Sequence, residues 1–347
     1  MSSSNPSSPT RAGTNLRQIP IVCPGHSRPI AEIQYSAATS DGYFLISACH
    51  DKQPMLRRGD TGDWIGTFVG HKGAVWGATM DSEARYAATG SADFSVKFWD
   101  ALSGDEVTSF EHRHIVKSVA FTPDATKLLT AGHEKILRVF DVMRVRELLE
   151  GYKSEGRTGI VVPPSPPVAQ MTTKEQIRKV VTLNDHVAVT GETDGTICVW
   201  NIDSSEMLHE FKVGAGIMDM EGSRNGTVLT VAAGNKVYFY DAAREFAMIG
   251  VFEMPISFAE EGGASLHPTA DKFIAGGSDT WVRVFDYKTG EMLETHKGHH
   301  GPVRCLRYSP TGESFATGSE DGTIRIWQTD SSSAAATSVA DVGNVAE

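Results

Sequence analysis

Two distant stretches of the chain carry the same four side-chain types at the same spacing. His71, Ser91, Asp93 and Trp99 in the first are matched by His299, Ser319, Asp321 and Trp327 in the second. A histidine with a serine and an aspartate could build a nucleophilic hydrolase, the base activating a hydroxyl and the carboxylate orienting the base. Duplication argues against that chemistry, because a reaction centre needs one constellation and a structural network recurs with every structural unit. The second possibility is a buried relay. A turn aspartate accepts hydrogen bonds from its own backbone and from the histidine, the histidine passes the link to the serine hydroxyl, and the tryptophan ends it. Such a network holds when each member is satisfied.

The elements that must position these residues follow from the surrounding sequence. GHKGAVWGATMDSEARYAATGSADFSVKFWD from Gly70 and GHHGPVRCLRYSPTGESFATGSEDGTIRIWQ from Gly298 share a Gly-His, an alternating strand, a turn, a strand ending ATGS and a third strand ending in tryptophan. This is the WD40 pattern, in which each unit makes one four-stranded blade of a propeller. Weaker copies give His26 with Asp51, His112 with Glu134 in the aspartate's place, Asp194 with Trp200, and Asp279. The most eroded unit keeps only alternation over 217–221, 227–232, 236–240 and 247–252, with Gly234-Asn235 at the turn. The expected fold is therefore all-β, a seven-bladed propeller over 17–329. An open ring would leave unpaired edges, and the polar segment after Trp327 offers no strand to complete the last blade. QIPIVC (Gln18–Cys23) has strand character and is expected to pair there and close the ring.

Composition agrees with many short strands: 40% of residues are hydrophobic and 34 of the 347 are glycine. A net charge of −11 and a pI near 5.6 argue against direct binding of nucleic acid through a general basic surface. Cys23, Cys49, Cys198 and Cys305 are widely spaced in apolar strands and read as reduced buried thiols. No apolar run approaches the roughly 18 residues that span a bilayer, and MSSSNPSSPTRAGTN lacks the core of a secretory signal. A cytoplasmic and nuclear location is expected. Residues 1–16 and 330–347 read as disordered tails. The proline-rich run 151–175 reads as an extended surface insertion before blade 4, either a docking segment with Ser165-Pro166 as a phosphorylation site or a tolerated insertion. Asn225-Gly226-Thr227 matches a glycosylation sequon, but between apolar strands it is better explained as a hairpin turn. Phosphate-loop, zinc-hydrolase and nucleophile-elbow motifs are all missing, so neither an enzyme nor a cofactor, metal or small-molecule substrate is expected.

Off-pattern residues say more about identity than the repeats do. GYFLISACHDKQPMLRRGDTGDWIGTFVGHKGAVWGATM (42–80), DALSGDE (100–106) and HIVKSVAFT (114–122) closely resemble the serine/threonine kinase receptor-associated protein family, also called Unr-interacting proteins. RQIP before the first blade matches that family's start, and the last blade is similar as well. The resemblance covers roughly 17–150 and 254–329, is loose through blade 5, and fails at 151–175. It implies a non-catalytic adaptor of the survival-of-motor-neuron complex, which loads Sm proteins onto spliceosomal small nuclear RNAs. It also implies contact with RNA-binding regulators of translation and, in animals, with receptor signalling. The WD40 subunit of translation initiation factor 3 is the alternative, sharing the openings of blades 2 and 7 but fitting 42–64 less well. A G-protein β subunit would require a preceding coiled-coil helix.

The same irregular blade 1 suggests where a partner could bind. Arg57, Arg58, Asp60, Asp63 and Trp64 are expected to form a surface patch, with Trp76 at the top of blade 2. Trp64 could equally be packed between blades.

Overall fold

The computed structural model describes residues 18–157, 159–258 and 262–329, so both expected tails lie outside the described residues. Strand-forming segments alternate with tight turns, and the chain folds into seven four-stranded antiparallel sheets. Each sheet is a blade. The inner strands are Ile30–Tyr35, Val75–Met80, Val116–Phe121, Ile177–Thr182, Ile217–Gly222, Gly263–Leu266 and Val303–Tyr308. Each packs beside the next, and the last packs beside the first, so the blades form a closed ring around a central channel.

Closure occurs as the sequence suggested. Ile21–Cys23 pairs antiparallel with Ile324–Gln328, Ile21 lying opposite Ile326 and Cys23 opposite Ile324. The first strand of the chain thus becomes the outer strand of blade 7, and the edge that blade 7 would otherwise expose is hydrogen-bonded.

The apolar core lies between blades and not within them. Seven clusters of buried side chains each join neighbouring blades. Phe98 and Val96 of blade 2, for example, meet Val116, Val119 and Leu128 of blade 3. Even the eroded blade 5 contributes Val231, Leu229 and Met220 to its cluster with blade 4, because alternation alone is enough to present one face of each strand. Its strands span Ile217–Gly222, Val228–Ala233, Lys236–Asp241 and Ala247–Glu253, within a residue of the expected bounds. Asn225-Gly226 makes the expected turn, with Gly226 at φ 68° against the Leu183 carbonyl. All four cysteines are buried and free.

The segment 151–175 departs from expectation. A helix, Met143–Ser154, follows the third strand of blade 3, and Ala169–Thr172 is that blade's outer strand. The insertion is therefore a loop between the third and outer strands of blade 3, and not an interruption at the opening of blade 4. It is also anchored. Val145, Leu149 and Val162 join the core between blades 2 and 3, and the Val162 N–H donates to the Val107 carbonyl at 2.7 Å. Lys153 pairs with Asp100 at 2.6 Å, and the Tyr86 hydroxyl donates to Glu150 at 3.0 Å. Pro163, Pro164 and Pro166 remain exposed. Among the described residues no helix is long and apolar enough to cross a membrane.

Candidate protein-interaction site

The repeated His–Asp sets form the buried relay, with one correction. In blade 2, His71 Nδ1 lies 2.8 Å from Asp93, and His71 Nε2 lies 2.7 Å from the Thr89 hydroxyl, which also accepts from Trp99 Nε1 at 2.8 Å. Blade 7 repeats this with His299, Asp321, Thr317 and Trp327. The linking hydroxyl is thus a threonine two residues before the expected Ser91 and Ser319. Those serines stabilise the turn instead: each accepts from the aspartate N–H and donates to a carbonyl of the Gly-His loop. Threonine and serine share one strand face, and only the threonine is placed to reach the tryptophan.

The other blades keep fragments of the relay. His112 reaches Thr130 at 2.9 Å, but Glu134 turns to Arg138 and the Arg113 N–H instead of to His112, its extra methylene carrying the carboxylate past the imidazole. Trp200 bonds Thr190 at 2.9 Å without a histidine, while Asp194 pairs with Lys212. Asp279 takes a two-pronged ion pair from Arg283. Each of these groups, where it is paired, is used within its own blade.

Blade 1 shows why its irregular sequence matters. His26 bonds Asp51 and Ser47, each at 2.8 Å. Arg57 stands where blades 2, 4 and 7 have tryptophan, and it is 3% exposed. Its guanidinium donates to the Pro24 and Gly62 carbonyls, and so ties the strand that closes the ring to the turn after blade 1's third strand. Gly62, at φ 74°, packs on Cys23 of that closing strand, where a Cβ would meet the sulfur at 2.4 Å. Arg57 is therefore a structural latch and not part of a surface patch. Arg58 is half-buried against the Asp41 carbonyl and Asp60, whereas Asp60 and Asp63 are exposed. Trp64 is 60% exposed on the outer strand Trp64–Thr67, at the ring's circumference. His26, Cys49 and Asp51 lie close enough together to resemble a metal site. Cys49 occupies the position of Ser91, however, and these groups already have partners within the blade, His26 on Asp51 and Ser47 and the Cys49 thiol donating to the Arg28 carbonyl.

Trp76 is not near that patch. It lies at one mouth of the central channel, brought there by a feature shared by six blades. Each inner strand except that of blade 6 carries a bulge at its second residue: Ala31, Trp76, Lys117, Arg178, Met218 and Arg304. A bulge re-aims a side chain, and all six line the same cavity of about 60 Å³. Lys117 Nζ lies over the Trp76 ring, and His50 packs edge-on against Trp76 with centroids 4.2 Å apart. Burial, reinforced by Arg178 and Arg304, pulls the Lys117 ammonium down to about 7. Burial and the same cationic surroundings pull His50 down to about 4, so it is neutral at physiological pH. The sequence marked only Trp76 here, because the other residues look ordinary until the bulges bring them together.

Deeper in the channel the charges are paired across the ring. Lys179 of blade 4 contacts Glu32 of blade 1 and lies 3.8 Å from Asp219 of blade 5. Arg307 of blade 7 binds both oxygens of Asp219 at 2.7 Å.

With this geometry in hand, similarity to known proteins can be assessed. A family model described as "WD domain, G-beta repeat" matches residues 62–100, 104–141 and 290–328. The first of these matches begins before the outer strand of one blade and ends with the third strand of the next. Sequence repeat and blade are thus offset by one strand, which is why a strand from the start of the chain completes the last blade. The chain is 43% identical over 314 residues to a chicken serine-threonine kinase receptor-associated protein, covering 90% of this chain and 83% of that relative. It is 44% identical over 316 residues to the Dictyostelium discoideum protein of the same name, covering 90% and 99%. Subunit I of translation initiation factor 3 from Drosophila grimshawi is 27% identical over 335 residues.

Proposed function

The chain belongs to the serine-threonine kinase receptor-associated protein family of WD40 propellers, and on that footing we propose that it is a non-catalytic adaptor that holds proteins together during assembly of spliceosomal small ribonucleoproteins. The observation that carries this reading is identity of 43–44% over 90% of the chain to relatives from a bird and an amoeba. Similarity of that extent in an amoeba favours a role not tied to animal receptors. The survival-of-motor-neuron complex is the assembly machine in which the adaptor would act, in cytoplasm and nucleus, with RNA reached through protein partners. The adaptor reading is supported by the polar groups that could have done chemistry, which are consumed in blade relays. Initiation-factor scaffolding is the weaker reading at 27% identity.

Affinity purification of the tagged full-length protein from cells of its source tests the proposal. Sm-type proteins and survival-of-motor-neuron components are expected to co-purify. Recovery of stoichiometric initiation factor 3 subunits in their place would overturn it.

A further inference from the structure

We propose that the channel mouth walled by Trp76, Lys117, Arg178 and Arg304 is a docking site for a short acidic segment, rich in aspartate or glutamate, of a partner protein. This rests on the adaptor reading and adds the chemistry of one partner.

Charge complementarity is the first support. The chain as a whole carries −11, yet this mouth gathers five cations against two carboxylates, Glu32 and Asp219, which are engaged by Lys179 and Arg307. Among the described residues Lys117 makes no ion pair and is held only against the Trp76 ring. Arg178 and Arg304 have other interactions as well, so Lys117 is the cation on which capture depends. A half-buried ammonium beside two guanidinium groups is destabilised by its surroundings, and an incoming carboxylate would remove that penalty.

Unsatisfied polar atoms give the second support. Trp76 Nε1 and His50 Nε2 are buried without a hydrogen-bond partner among the described residues. Buried polar groups are ordinarily satisfied. A bound acceptor would supply the hydrogen bond that the indole lacks.

The extent of the cationic surface favours a short peptide over a nucleic acid. A nucleic acid needs a track of cations along its backbone, whereas the cations here form one cluster at the mouth.

Fluorescence anisotropy of the full-length protein with a labelled decapeptide of alternating Asp and Glu tests the site. The matched Asn/Gln peptide and a ten-nucleotide single-stranded RNA are the comparison probes. The acidic peptide is expected to bind at least tenfold more tightly than either. Lys117→Met, of similar length and still able to cover Trp76, should weaken it about tenfold, and Lys117→Glu more. Lys212→Ala, on the outer strand of blade 4, should leave it unchanged. No binding of the acidic peptide, undiminished binding by a folded Lys117→Met protein, or tighter binding of the RNA would each overturn the site. The co-purification result is independent of all three, so the adaptor reading can survive the loss of this site.

Discussion

Whether the His–Asp pair of a blade is coupled to the tryptophan depends on a single threonine hydroxyl. Thr89 joins His71 to Trp99, so Thr89→Val should leave two buried groups without their partner and destabilise the fold by about 1–3 kcal/mol in urea denaturation. Unchanged stability would show that the relay contributes nothing. The aspartates give a pH dependence with a definite sign. Burial pushes the Asp51 carboxyl up, but hydrogen bonds from His26 and from the Gln53 and Ser27 N–H groups outweigh it and hold it at about 2. Asp93 and Asp321 are likewise held below the ordinary range against their burial. A depressed carboxyl contributes stability that is fully present above its unfolded value, here 3.8, and is lost as the pH falls toward the folded value. Unfolding free energy should therefore decline from about pH 4 to pH 2, and less steeply in an Asp51→Asn, Asp93→Asn double variant. At the mouth the sign is opposite. Lys117 faces Trp76 from blade 2, Arg178 from blade 4, Arg304 from blade 7, His50 from blade 1, and His133 of its own blade. With its ammonium pulled down to about 7, the acidic decapeptide should bind more weakly at pH 8.5 than at pH 6. At this scale the sequence disclosed the His–Asp spacing but not the threonine, because Thr89 and Ser91 share a strand face and differ only in reach. Arg57 was misread for a related reason: its place in the tryptophan position becomes clear only when the closing strand lies beside it.

The strands were the legible elements, down to the closing one. Alternation with turn chemistry marks a strand wherever one face is buried, so even blade 5 was placed without its motif. The helix Met143–Ser154 was not legible. Its buried stripe is only Val145 and Leu149, and the prolines that follow it suggested an extended loop. The closing strand gives the element-scale prediction. Deleting residues 1–24 removes Ile21–Cys23 and the Pro24 carbonyl that Arg57 holds, exposing the edge of blade 7. That protein should elute as aggregate in size-exclusion chromatography, whereas deletion of 1–14 should leave elution and melting temperature unchanged. Arg57→Leu should lower stability and add little to the 1–24 deletion. Equal solubility of both truncations would mean that the ring closes by other means.

Across the whole molecule, the blades are joined by apolar seams between neighbouring sheets and by ion pairs across the channel. Lys179→Met leaves Glu32 buried and uncompensated, and should cost about 3–5 kcal/mol, although it lies far from any outer surface. The seven-blade plan could be read from sequence because repeats reveal themselves by comparison with one another. The channel mouth could not, since its residues come from different blades and resemble nothing until the ring closes. The central claim, that this ring is an adaptor for ribonucleoprotein assembly, is tested most directly by depleting the protein from cell extract and measuring the rate at which Sm proteins load onto a labelled small nuclear RNA. The account predicts slower loading, restored by wild-type protein and restored only in part by Lys117→Glu. Unchanged loading, with a loss of translation initiation in the same extract, would contradict it.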